Sequence, residues 1–442
     1  MMSSNSARFI SNPFQLGGIR TGTLDFPQPQ GAQSTRVAFI DTGSGLRFTV
    51  SLDRGCDIVD AVYKDCALGY LTPNGLMGRA GQQTGMQWLR SWAGGLMTTC
   101  GATNIGGPQE DRAWAEGLHG RHNSLPASIL EIKNPNLRGD LGHTDCARED
   151  GVKSKQNGAH GEGGKTEQNM RADAGRNDAQ TVREESGDLG GDGNGLGGGG
   201  HNLRESGEIH GSASDCAANG YGVGLAGDRL MMLRAKVCDT RMFGPSVEVE
   251  RAIMCELGSS QIIVRDRVTN VGNEVVPHHW LYHCNMGYPL LSPLDSELVL
   301  SGRVVKRWGT VENLPEIDDI KRVTDVRSDH AGSGEGGMII EPAGETAVVG
   351  VVNSARGIGL RMEFPTVALR RLAVWQHFGE GSYVCGIEPF TGSLWHDDYE
   401  TEEAKRWWLE AGESRDYELK FSVVEGDDEL AKLRGCDAAL SE

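Results

Sequence analysis

No apolar run in this chain approaches the roughly 20 residues a helix needs to cross a bilayer, so a helical membrane protein is not expected. The ten cysteines include no C-x-x-C pair. In a chain of 442 residues this argues for reduced thiols, not a zinc knuckle or a disulfide framework. The N-terminus, MMSSNSARFISNPF, lacks a basic stretch followed by an apolar one, so no secretory signal is read and a cytoplasmic location is expected. Basic side chains are outnumbered 61 to 43, a net charge of −18 that would repel a phosphate backbone. Nucleic acid is therefore not an expected partner. No repeat of fixed period is evident, and the terminal LSE is no retention or peroxisomal address.

Glycine is in excess instead, at 63 residues, against a usual share of roughly 7%. The excess concentrates between about 134 and 221, a polar, Gly-rich stretch that includes GDLGGDGNGLGGGGHN and has no aromatic residue before Tyr221. Such a composition cannot bury enough apolar area to offset the entropy of ordering. It predicts a disordered insertion, a solvated spacer more than a lid, with one fold continuing on either side.

The flanks alternate with period two. In GLRFTVSLD, Leu46, Phe48, Val50 and Leu52 share one face; SVEVERAIM and IIVRDRVTN follow the same rule around the turn LGSSQ. TAVVGVV and IGLRMEF, joined by NSARG, read as another hairpin. These are antiparallel β signatures, and the expected class is all-β, a sandwich of large antiparallel sheets. Only GLMGRAGQQTGMQWLRSWAG and TEEAKRWWLE suggest helix, and the end from EGDDEL reads as an acidic tail.

Three segments are rich in groups that carry chemistry. GLHGRHN brings His119, Arg121, His122 and Asn123; PHHWLYHCNMGYPLL brings His278, His279, His283 and Asn285; YVCGIEPFTG brings Glu388. In a strand, His279, Leu281, His283 and Asn285 fall on one face, and His278, Trp280, Tyr282 and Cys284 on the other. His279 and His283 would then stand about 13 Å apart, too far to share a metal ion, whereas a helix would bring them within about 6 Å. The β pattern argues against metal. A carboxyl at the end of an apolar strand costs free energy unless it is paired or used, and burial raises its pKa toward that of a general base. From these residues alone, a hydrogen-bonded structural role is the better reading of His278 and an even one for His279, and an arginine-paired Glu388 stands equal to a general base.

As a set, the stretches SLDRGCDI, WLRSWAGGLMTTCGATN, GLHGRHNSLPA, RMFG with VEVERAI, LYHCNMGYPLL and GEGSYVCGIEP resemble the aldose 1-epimerase (galactose mutarotase-like) superfamily, and more closely its DUF4432 branch. The resemblance runs from about Leu46 to Pro389. It implies one β-supersandwich domain over 1–442, interrupted at about 134–221, with a sugar-sized cleft along one sheet. It implies Glu388 as general base, His283 as general acid and His119 as a sugar contact that stabilises charge at the ring oxygen. Arg121, Asn285, His279, Arg90, Asp57, Gln376 and Trp375 are the candidate substrate contacts.

The implied reaction interconverts sugar anomers: a proton leaves the C1 hydroxyl while another reaches the ring oxygen, and the open aldehyde rotates and closes on its other face. One carboxyl and one imidazole on opposite sides of the anomeric centre suffice, and no cofactor is implied. The expected partner is a small-molecule sugar, with no membrane and with a homo-oligomer left open. Two alternatives stand beside this: a non-catalytic carbohydrate-binding protein of the same fold, and, behind it, a metal-dependent sugar isomerase using the histidines as ligands. Arg90, Arg121 and Arg241 could hold an acidic group on the sugar or be ordinary solvated arginines.

Overall fold

The computed structural model describes residues 10–26, 33–76, 78, 81, 83–109, 116–136, 227–310 and 314–441. The insertion expected at about 134–221 lies, from residue 137 on, outside the described residues.

Three large sheets carry the described part, every strand pair among them antiparallel. The strands Gly18–Phe26, Gln33–Asp41, Leu46–Ser51, Asp57–Tyr63 and Cys66–Ala67 meander into a five-stranded sheet. An eight-stranded sheet has Gln261–Asn270 near its centre, between Val247–Glu256 and Ser414–Glu425. A seven-stranded sheet runs in the order Gly302–Gly309, Gly336–Pro342, Arg371–Gly379, Ser382–Thr391, Trp280–His283 and Thr98–Cys100, with Asn285–Gly287 pairing the Ser382–Thr391 strand. The fold class is therefore all-β, as the alternation implies. The expected hairpin closes with Thr346 opposite Pro365 and Asn353 opposite Ile358.

Alternation decides which side chains meet. Leu46, Phe48 and Val50 are buried, as are Ile262, Val264 and Val268, and Trp280, Tyr282 and Cys284 join them in one continuous core. Leu281 faces the opposite side of its sheet, against Cys100, Ile339, Ala373 and Phe390. The two segments expected to be helical are not long helices. The first holds only the 3-10 turn Gln87–Arg90, and the second one short helix, Glu402–Lys405. Conversely, the acidic tail is a helix, Asp427–Arg434. Three acidic residues in its first turn and Lys432 and Arg434 in its last complement the helix dipole, and Leu430 and Leu433 pack on Val299 and Val352.

A polar knot sits inside the apolar core. Arg251, wholly buried, donates from Nε and Nη2 to both oxygens of Asp266 (2.8 and 2.7 Å) and from Nη1 to Asp57 (2.8 Å). Its Nη2 also donates to Thr99 Oγ1 (2.8 Å), and the Tyr282 hydroxyl donates to Asp266 Oδ2 (2.7 Å). Buried carboxylates are tolerated only when paired in this way; removing one partner of such a pair costs about 3–5 kcal/mol. Arg251→Met leaves two carboxylates without their guanidinium, and urea unfolding should register a loss of that size. A loss under about 1 kcal/mol would show that the knot is not structurally required.

Candidate functional site

The register of the seven-stranded sheet fixes the site. His283 lies opposite Thr98, Glu388 opposite Ala373, and Trp375 opposite Gly386. Because Tyr282 and Thr99 point into the core, their neighbours His283 and Thr98 point to the other face, as does Glu388. His283 and Glu388 are nearly buried, 5% and 4% exposed, and touch directly: Nδ1 lies 3.1 Å from Glu388 Oε1. The two groups thus form one contiguous pair on one sheet face, where the implied reaction was expected to place them on opposite sides of the anomeric centre.

The hydrogen bonds around the pair define its protons. Asn285 donates its amide to Gly95 O (3.2 Å) and to His283 O (2.8 Å), so its Oδ1, 2.6 Å from His283 Nδ1, accepts. His283 therefore carries its proton on Nδ1, and Nε2 has its lone pair free. The Trp375 indole N–H donates to Glu388 Oε1 (2.5 Å), so that acceptor oxygen is engaged, and among the described residues Oε2 has no hydrogen-bond partner. His119 donates from Nδ1 to Ile105 O (2.7 Å), leaving its Nε2 bare as well; its ring centre is 5.5 Å from that of His283. His119 is held at φ 62°, a left-handed backbone unusual for a residue with a Cβ, between the Gly106 carbonyl and the Gly101 amide. Strain of this kind persists only where its surroundings enforce it.

Burial sets the charge states. It pushes the Glu388 carboxyl well above the ordinary carboxylate range; the Trp375 N–H opposes this and the Glu335 carboxylate adds to it. Burial pushes His283 down to about 3, helped by His119, and His119 down to about 4. Burial thus favours the uncharged form of all three groups.

Aromatic rings pack directly against the two histidines. Trp88 meets His119 edge-on at 4.6 Å, Trp92 lies 5.1 Å from His283, and the two tryptophans stack at 4.9 Å. Trp375 completes the enclosure, 5.9 Å from His283 and 6.5 Å from Trp92. Trp88 and Trp92 were not among the residues nominated from sequence. Their signal was present, because the segment MQWLRSWAGG spaces the two rings four apart, but a helical reading does not aim them at a strand.

Several nominated contacts lie elsewhere. Asp57 is 1% exposed and accepts from Arg251, Thr99 and Asn123, so it belongs to the core knot and offers nothing to a ligand. Gln376 points away from Trp375, its neighbour in the strand, and donates to Ile320 O (2.7 Å). His279 is wholly buried, stacked on Tyr399 at 3.9 Å with Ser393 N donating to its Nδ1. Arg121 is engaged by Asp239 (3.1 Å), Arg241 by Glu116 (2.5 Å), and Arg90 is exposed on the 3-10 turn. His122 and His278 are buried structural histidines, bonded to Gly55 O and to Ala102 O with Tyr417 OH. Among the described residues no three His, Cys, Asp or Glu side chains gather as metal ligands, and no helix is long and apolar enough to cross a membrane.

Comparison with known proteins places the chain. The family model of a Domain of unknown function (DUF4432) matches residues 32–144 and 193–423. Among solved structures, a provisionally assigned aldose 1-epimerase from Klebsiella pneumoniae aligns over 98% of this chain and 89% of its own, with a TM-score of 0.64 at 15% identity. A galactose mutarotase-like protein from Clostridium acetobutylicum aligns over 93% of this chain and 99% of its own, with a TM-score of 0.52 at 9% identity. At these identities the likeness is one of fold. No curated protein matches the chain.

The protonation of Glu388 is open to measurement. A carboxyl with a raised folded pKa contributes nothing adverse below the unfolded value near 4.5, and costs stability as pH rises above it, because only the unfolded chain can then ionise freely. Glu388→Gln keeps the acceptor for Trp375 and removes that cost. The variant should match the parent in Tm near pH 4 and exceed it by a growing margin, on the order of a few °C, toward pH 8. A variant less stable than the parent at pH 8 would mean that Glu388 is ionised against a protonated His283.

Proposed function

The chain belongs to the DUF4432 family, and from the chemistry of its trough we propose that it is a carbohydrate-active isomerase of aldose 1-epimerase type, interconverting the anomers of a free sugar. One observation carries the reading: on a single sheet face, His283 Nε2 and Glu388 Oε2 have no hydrogen-bond partner among the described residues while their sister atoms are fixed by Asn285 and Trp375. One atom is a base and the other an acid, and anomer exchange needs one of each.

The resemblance implies Glu388 as base and His283 as acid; burial, which favours the protonated carboxyl and the neutral imidazole, favours the opposite starting state. With the proton resting on Glu388, His283 Nε2 takes the proton of the C1 hydroxyl while Glu388 delivers its own to the ring oxygen. The C1–O5 bond breaks, the aldehyde forms, and rotation about C1–C2 precedes closure, when the two groups return what they exchanged. No net charge enters or leaves the site. His119 Nε2 is placed to accept from a sugar hydroxyl, and Trp88, Trp92 and Trp375 supply apolar faces for a pyranose. The eight described cysteines are all free, which supports a reducing compartment and a cytosolic location.

Polarimetry or one-dimensional NMR exchange on monosaccharides tests the proposal. Glu388→Gln and His283→Ala should each slow catalysed mutarotation by about 10²–10⁴-fold with the β-rich circular dichroism unchanged. Binding of sugars by a parent protein that never accelerates anomer exchange would instead assign it as a non-catalytic carbohydrate-binding protein.

A further inference from the structure

Beyond the catalytic pair, on the same face of the same sheet, lies a cavity of about 290 Å³. Its nearest wall is Phe390, two residues after Glu388 in the Ser382–Thr391 strand and so about 7 Å further along. Ile339 lines it from the next strand but one, across Ala373, which pairs with Glu388. The outer walls are the indoles of Trp395 and Trp407. Trp308 approaches Trp395 edge-on at 6.3 Å, and Lys306 Nζ lies 3.3 Å from the centre of the Trp395 ring.

Charge decides what such a cavity would hold. Arg371 is held by Glu341 and by Glu403 (3.1 Å), and Asp398 accepts from Ser393 Oγ (3.1 Å). The lining thus carries two cations, Lys306 and Arg371, and two carboxylates, Asp398 and Glu403. A phosphate or carboxylate would have to compete with Glu341 and Glu403 for Arg371. A neutral polyol would not, and the mixture of flat aromatic faces with Ser393, Thr401 and the charged rim matches a sugar ring, whose C–H faces are apolar and whose edge is hydroxylated. The volume lies at the foot of the range of small-molecule pockets, room for one ring and not for a long glycan.

We propose that this cavity is a second sugar subsite, and that the substrate is a reducing disaccharide: its free anomeric carbon at His283 and Glu388, its second ring against Phe390, Trp395 and Trp407. The substrate assignment rests on the mutarotase reading; the subsite does not. Trp395 is half-buried at the cavity rim and touches neither His283 nor Glu388, so its replacement tests the subsite without touching the chemistry.

With the full-length protein, mutarotation of lactose, maltose and cellobiose is compared with that of galactose and glucose. At least one disaccharide should exceed its own monosaccharide by about tenfold in kcat/KM, a gain of 1.4 kcal/mol. Trp395→Ala should abolish that gain and leave the monosaccharide rate unchanged, and Trp395→Phe should restore most of it. Equal rates for disaccharides and monosaccharides, or equal losses for both in Trp395→Ala, would overturn the proposal. Saturation-transfer NMR with the methyl glycosides of the same disaccharides, which cannot mutarotate, separates the two readings. Binding that Trp395→Ala abolishes, in a protein without catalysis, keeps the subsite and removes the isomerase; no binding of any glycoside removes the subsite.

Discussion

The site depends on one buried guanidinium. Arg251 and Asp266 belong to the eight-stranded sheet, Asp57 to the five-stranded sheet, and Thr99 and Tyr282 to the strands that carry Thr98 and His283. Tying Thr99 and Tyr282 into the core forces the residues beside them outward, since neighbours in a strand point to opposite faces. The orientation of His283 is thus decided at atoms on the far side of its own backbone. The knot also reaches the aromatic wall. Arg54, equally buried, donates to Asn123 O and Oδ1 and to Ser91 O, and Asn123 donates in turn to Asp57. Ser91 lies between Trp88 and Trp92. Two arginines and two aspartates therefore balance in charge inside the core while fixing the strand that carries His283 and the turn that carries Trp88 and Trp92.

Glycine makes the rest of that geometry possible. A Cβ on Gly386 would collide with the Trp375 indole nitrogen and with Glu388 Oε1, and one on Gly337 would collide with the Trp308 ring. Both indoles lie flat over a neighbouring strand because that strand presents only hydrogen there. The glycine excess of the chain has an ordered contribution at these two positions, separate from the polar insertion.

Period-two patterning carried most of the fold and the face on which His283 lies, whereas the pairing of His283 with Glu388 came only with the family resemblance. The strands around Phe48, Val249 and Val264, and the outward faces of His283 and Glu388, follow from alternation alone. The same rule could have excluded a nominated residue, because Trp375 and Gln376 are adjacent in one strand and cannot both face a ligand. Asp57 was beyond such reasoning. Its partner Arg251 is 194 residues away, and nothing local distinguishes a carboxylate bound for a core knot from one bound for a sugar. Trp88 and Trp92 failed for a different reason: spacing of four was assigned to a helix, whereas the chain makes a single 3-10 turn there and stacks the rings against His119 and His283. The helix Asp427–Arg434 was hidden by its own charges, which read as solvated tail until Leu430 and Leu433 are seen against the sheet.

Close contact between His283 and Glu388 has a mechanistic meaning that a wider spacing would lack. In the proposed reaction the resting pair is neutral and the ring-opened state is an imidazolium beside a carboxylate. Burial disfavours each of those charges separately. Three fixed interactions, already present at rest, act more strongly against that penalty once the charges appear: the Asn285 carbonyl on Nδ1–H, the Trp375 N–H on Oε1, and the 3.1 Å approach of Nδ1 to Oε1 itself. A hydrogen bond to an ionised group is roughly twice as strong as a neutral one, so each of them tightens as the ring opens and relaxes as it closes. Stabilisation that is greater in the charged state than in the resting one lowers the barrier, which is the condition for rate enhancement as opposed to tight binding. A pair set apart by the width of a sugar could divide the acid and base work between two faces, but it would leave each charge to be stabilised alone in a site that admits almost no water.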